Sequence, residues 1–111
     1  MKKRLFLILF LFLIFTNAFA GSATSGTLST VHTFASGQVL VYTNGSRSDV
    51  PTCATIQPAR FAINGNTAGG KVLAAAVLTA YSLGKRVTII GNGTCDVYGD
   101  TESISYIYTN D

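Results

Sequence analysis

A chain of 111 residues with two cysteines, one histidine and no tryptophan offers room for one domain and few reactive groups. Its formal charge of +3 equals the cluster Lys2, Lys3 and Arg4, and beyond residue 20 five basic side chains meet five acidic ones. That balance excludes the general electrostatic pull on phosphate backbones that nucleic-acid binding rests on.

The chain starts with a basic "MKKR", then the apolar run "LFLILFLFLIF", then "TNAFA", which ends in a small-x-small pattern at Ala18-Phe19-Ala20. Together these predict a secretory signal peptide over residues 1–20, bacterial in style. The apolar run is shorter than the roughly 20 residues of a spanning helix, so no membrane span is expected after cleavage. The product is expected to be periplasmic or secreted, with a single domain over 21–111. Cys53 and Cys95 are its only cysteines. An even count in an exported chain predicts a disulfide between them.

Residues 21–27, "GSATSGT", are small and polar and read as a loose N-terminus. "TLSTVHTF" (27–34) and "QVLVYT" (38–43) are rich in β-branched residues and read as a hairpin around the turn "ASG". "NGSRSDVPT" (44–52) reads as a loop, with Pro51 blocking regular pairing. "CATIQ" (53–57) reads as a short strand, interrupted by Pro58 and resumed as "ARFAI" (59–63). "KVLAAAVLTAYSL" (71–83) is the one helix, with Gly84 placed to end it. "RVTIIG" (86–91) and "ESISYIYT" (102–109) are the last strands, with Ile104, Tyr106 and Tyr108 on one face at period two. The order is β-β-β-α-β-β, a mainly β chain.

Gly65, Gly70 and Lys71 in "GNTAGGKV" spell most of a phosphate-binding loop. Val72 stands where a Ser or Thr must hold Mg²⁺, and no later acidic residue offers a second metal holder, so no nucleotide is expected. The stretch reads instead as a connection in which Thr67 caps the helix and Gly69 and Gly70 let its start pass close to a neighbour. The helix itself is apolar nearly all round. Between Val72 and Leu83 only Thr79 and Ser82 carry small polar side chains, and none is charged. Val72, Leu73, Ala76, Val77, Ala80 and Leu83 can form one face, while Ala75, Leu78 and Tyr81 lie elsewhere. Such a helix is buried on two sides, which a domain this small cannot arrange alone, so its far side is expected to pack on another copy.

Five short strands with a helix between the third and fourth describe a small OB-fold barrel. In an exported chain of this size, "SGTLSTVHTFASGQ" (25–38), Cys53 and "LTAYSLGKRVTII" (78–90) resemble the B subunits of bacterial AB5 toxins, of the subtilase cytotoxin type. The resemblance implies a non-catalytic subunit that forms a ring of five, binds host cell-surface glycans and delivers a toxin A subunit. It implies that the helix lines the central pore, which would place Lys71, Ala75, Leu78, Thr79 and Ser82 at the subunit interface. It implies a glycan contact at Ser25, similar in position to a serine of the family's sialic-acid pocket. The tyrosine that belongs to that pocket has no counterpart, because its place falls near Gly91. Tyr42, Tyr81, Tyr98, Tyr106 and Tyr108 offer other flat faces on which a sugar could stack.

No set of groups here matches a catalytic constellation. His32 stands alone in a strand, and there is no G-x-S-x-G elbow. Asp96, Asp100 and Glu102 match no calcium loop and read as loop solvation. Neither a metal nor another cofactor is expected. Asn44-Gly45-Ser46 and Asn92-Gly93-Thr94 read as turns before glycosylation sites. The alternative to a glycan-binding subunit is a small periplasmic or secreted protein-binding or inhibitor domain.

Overall fold

The computed structural model describes residues 20–110. The expected leader therefore lies outside the described residues, apart from Ala20. The described chain forms a mainly β fold of seven strands and one α-helix. They run β1 (Ser22–Gly26), β2 (Leu28–Thr33), β3 (Gln38–Thr43), β4 (Ser46–Ser48), β5 (Arg60–Asn64), α1 (Ala68–Leu83), β6 (Val87–Gly91) and β7 (Glu102–Thr109).

The strands join in one sheet of order β2-β3-β5-β7-β6-β1-β4. Every pairing is antiparallel except β5 with β7, where Phe61 and Ala62 stand beside Glu102 and Ser103. β1 and β2 are separated by Thr27 alone, yet they stand near opposite ends of that order. One bent ribbon thus serves both ends, and the sheet must curl to accommodate it. The bend is a bulge between Ala23 and Gly26, with Ser25 in the left-handed region at φ 53°. Gly26 is required there, since a Cβ would run into the backbone of Gly45.

Three segments differ in type from what the sequence predicts. The N-terminal "SATSG" is not loose but is strand β1, held between β4 and β6 by backbone ladders. The loop 44–52 contains the three-residue strand β4. "CATIQ" is no strand: Thr52–Ala54 form one turn of 3₁₀-helix, with Ala54 N–H donating to the Pro51 carbonyl. The sheet consequently has seven strands where five were expected.

Alternation within strands builds the core. Val39 and Val41 of β3, Phe61 and Ile63 of β5, and Val87 and Ile89 of β6 point to one interior, joined by Ala23 and Ile104. Phe61 and Ile89 are completely buried, each contributing about 1.5–3 kcal/mol of transfer free energy. β7 breaks its own alternation. Ile90 pairs with Tyr106 but Gly91 pairs with Ile104, so Ser105 is an extra residue. Ile104 and Ile107 therefore turn to the core, while Tyr106 and Tyr108 stay exposed and stack at 6.5 Å. The shared face expected for Ile104, Tyr106 and Tyr108 does not form.

α1 begins three residues before the predicted start. Thr67 Oγ1 accepts the Gly70 N–H at 2.9 Å, the expected cap. Gly84 closes the helix at φ 64°, its N–H reaching the Ala80 and Tyr81 carbonyls. Gly70 crosses the Asn64 carbonyl so closely that no side chain would fit, whereas Gly69 faces open space. The core-facing stripe is Gly70, Leu73, Ala74, Val77 and Ala80. Val72, Ala76 and Leu83, expected on that face, are exposed.

A charged pair also lies inside. Glu102, with none of its side chain exposed, takes the Arg47 Nη2 donor at 2.7 Å on Oε1. Its Oε2 accepts the backbone N–H groups of Gly21 at 2.8 Å and Gly93 at 2.9 Å. The Arg47 guanidinium lies 4.3 Å over the Phe61 ring, and its buried Nε and Nη1 have no hydrogen-bond partner. The ring face compensates part of that loss.

Candidate functional site

The outer side of β3 and β5, where Tyr42 is half-buried and Arg60 buried, carries a cluster of rings and charge. Tyr42 of β3 and Arg60 of β5 stand directly opposite in the antiparallel register, so their side chains share a face. The fan of donors on Arg60 ties three elements together. Nη1 donates to the Tyr42 hydroxyl at 3.3 Å, Nη2 to Asp100 Oδ1 at 2.6 Å, and Nε to Thr101 Oγ1 at 2.8 Å. Burial alone would lower the Arg60 pKa, but the Tyr42 hydroxyl and the charge of Asp100 outweigh it, and the net shift is upward. Its guanidinium carbon lies 5.3 Å from the Tyr98 ring centroid and 5.8 Å from that of Tyr42. Phe34 stacks on Tyr98 at 6.1 Å, and His32 tilts against Tyr42 at 5.7 Å.

Tyr98 is held in place by its loop, residues 92–101. Thr101 N–H donates to the Tyr98 carbonyl at 2.9 Å, closing a turn with Gly99 and Asp100 at its tip. Upstream, Cys95 is joined to Cys53 by the expected disulfide. Asp96 accepts from the Ser103 hydroxyl at 2.5 Å and from the Thr94 hydroxyl at 2.9 Å. These hydrogen bonds, Ser103 first, hold its carboxyl below the usual carboxylate pKa. Asp96 is thus a loop anchor in addition to a solvated acid. The Gln38 side chain reaches across to the Val97 carbonyl at 3.3 Å.

Chemically, this surface offers flat rings and a half-exposed carboxylate, held around a planar cation that is itself largely buried. Rings stack on apolar C–H faces. Three of the five N–H donors of Arg60 are used by its named partners. The Asp100 side chain is 48% exposed, leaving lone pairs toward solvent that can accept from hydroxyl groups. Among the described residues, no three His, Cys, Asp or Glu side chains are grouped to hold a metal ion.

The other predicted residues are scattered. Ser25 is exposed at the β1 bulge, and its N–H donates to Thr88 Oγ1 of β6 at 3.1 Å, so its partner is the strand two places from β5 in the sheet order. Tyr81 lies on α1, and Tyr106 and Tyr108 pair with each other. Lys71, Ala75, Leu78, Thr79 and Ser82 are all exposed on α1. Ala75 and Thr79 line a groove of about 410 Å³ with Ala76, Ala80, Leu83, Lys85 and Thr109. Both hydroxyls on this side turn back into the helix, Thr79 to the Ala75 carbonyl and Ser82 to the Leu78 carbonyl, each at 2.8 Å.

Arg60 and Asp100 were not read from the sequence as site residues. Arg60 entered only as a charge, and its place opposite Tyr42 required the strand register. The available signal was only that Arg60 lies in a predicted strand and Asp100 in the acidic stretch just before the last predicted strand. Compared with known proteins, the chain matches no family model, no curated protein and no solved structure. Among the described residues, no helix is long and apolar enough to cross a membrane.

Proposed function

We propose that this chain is an exported, non-catalytic glycan-binding subunit of OB-fold architecture, similar in kind to the B subunits of AB5 toxins. The observation that carries the reading is the convergence of Phe34, Tyr42, Arg60, Tyr98 and Asp100 on one surface. The OB-fold reading is supported by strand order. Counting the bent ribbon 22–33 as the first strand, and setting the short edge strand β4 aside as an addition, gives the order 1-2-3-5-4-1, with a parallel pairing of third and fifth strands and the helix between third and fourth. OB-folds bind oligosaccharides on the face of strands 2 and 3 and on the loops joining 1 to 2 and 4 to 5. Here those places are β3, β5, the turn that holds Phe34 and the loop that holds Tyr98.

The ring-forming part of the proposal rests on α1. Val72 is 71% exposed and Leu83 66%, with Leu78 and Tyr81 beside them and the nearby hydroxyls already satisfied. The occupant proposed for this face is a second copy of the chain, and a toxin A subunit would dock on the assembled ring. Glycan-array binding tests the sugar reading. The native chain should bind a defined set of glycans, and Tyr98→Ala should weaken that binding about tenfold, the scale of one lost aromatic stack. A folded chain that binds no glycan would refute it. Capture of a single exported protein through α1 instead would favour the protein-binding alternative.

A further inference from the structure

Gly21 lies at a sharp boundary. Ala20 is exposed, Gly21 is buried, and β1 starts at the next residue. The Gly21 carbonyl accepts the Gly91 N–H at 2.7 Å, and its N–H points at Glu102 Oε2. No side chain fits at this position. A Cβ on Gly21 would strike Glu102 Oε1, and it would come within 2.9 Å of both Arg47 Nη2 and the Asp49 carbonyl oxygen. The sequence pattern Ala18-Phe19-Ala20 places the leader cut at this same bond.

We infer that cleavage between Ala20 and Gly21 frees an α-ammonium that docks on buried Glu102 and completes the fold as an ion pair. Hydrolysis by an export-linked peptidase adds one water across the amide. The carboxylate leaves on Ala20, and the Gly21 amine takes up a proton, since α-amines ordinarily titrate at about 7.7–8.0. The peptide N–H of Gly21 then becomes a charged donor to the same Oε2, a stronger bond than the neutral one. Glu102 Oε1 and the Asp49 carbonyl oxygen also crowd the Gly21 Cα, so the end of the trimmed chain lies among acceptor oxygens. Arg47 Nη2 also borders Gly21, and it bonds Oε1 while the Gly21 nitrogen bonds Oε2, so the one carboxylate binds both cations through different oxygens. Leader removal thereby trims the chain flush with the sheet and turns a neutral contact into a charged one.

The inference rests on the leader reading, and the test separates the two. The full 111-residue chain is exported from a bacterial host and its intact mass is measured. The folded product is then acylated with N-hydroxysuccinimide acetate, with Lys71 and Lys85, both exposed, as internal controls. The product should begin at Gly21. Its α-amine should react at least about tenfold more slowly folded than in urea, because only an opened state exposes it. A folded Glu102→Gln variant should lose that protection. A product that keeps its first residues overturns the leader reading and the inference together. A product beginning at Gly21 whose amine reacts equally fast folded and unfolded overturns the inference alone, without need of the variant. So does protection that survives in folded Glu102→Gln.

Discussion

Glu102 accepts three hydrogen bonds with no part of its side chain exposed, and each donor comes from a different stretch of chain. Taking the negative charge away leaves Arg47 buried without a counter-ion. Breaking such a pair from one side costs about 3–5 kcal/mol. Glu102→Gln should therefore lower stability to urea by roughly that amount, read from the shift in unfolding midpoint. An unchanged midpoint would mean that solvent reaches the pair. Asp96 makes a separate prediction. Its carboxyl is held below the ordinary value of 3.8 by the Ser103 and Thr94 hydroxyls. The stability it contributes is then full above pH 3.8 and is lost as pH falls through its lower folded value. The amide signals of Thr94 and Ser103 should titrate in that acid window, and Asp96→Asn should abolish the titration.

At the scale of elements, the loop that presents Tyr98 depends on the disulfide. Closing the 42-residue separation between Cys53 and Cys95 is worth about 4 kcal/mol on the chain-entropy model. Reduction should lower the unfolding midpoint accordingly and weaken glycan binding more than it disturbs α1, which hydrogen exchange can resolve. The elements also show what was legible in the sequence. β2, β3, β6 and β7 carry β-branched or alternating residues, and α1 carries its cap, its glycine stop and its apolar run, so all were readable. β1 and β4 were not. Their sequences, "SATSG" and "SRS", have no apolar rhythm, and they become strands only because neighbours supply the ladders. The bulge at Ser105 was invisible for a related reason, since only the pairing of β6 reveals an extra residue. The tyrosines of the candidate site were visible one by one. Their assembly around Arg60 was not, because it depends on register between β3 and β5 and on the turn at Tyr98–Thr101.

The whole molecule presents two distinct surfaces around a small curled sheet. One carries rings around a fixed cation; the other is a helix whose outward side stays apolar. A clean pentamer mass is expected by light scattering at micromolar concentration, and Leu78→Glu should convert it to monomer without unfolding it. A wild-type monomer would remove the ring and leave the sugar site to be judged alone. The site is judged most directly by amide chemical shifts of the ¹⁵N-labelled chain titrated with its best array glycan. The account predicts shifts concentrated at Phe34, Tyr42, Arg60 and the turn Tyr98–Thr101. Shifts confined to Ser25, Thr88 and the β1 bulge, with that cluster silent, would contradict it.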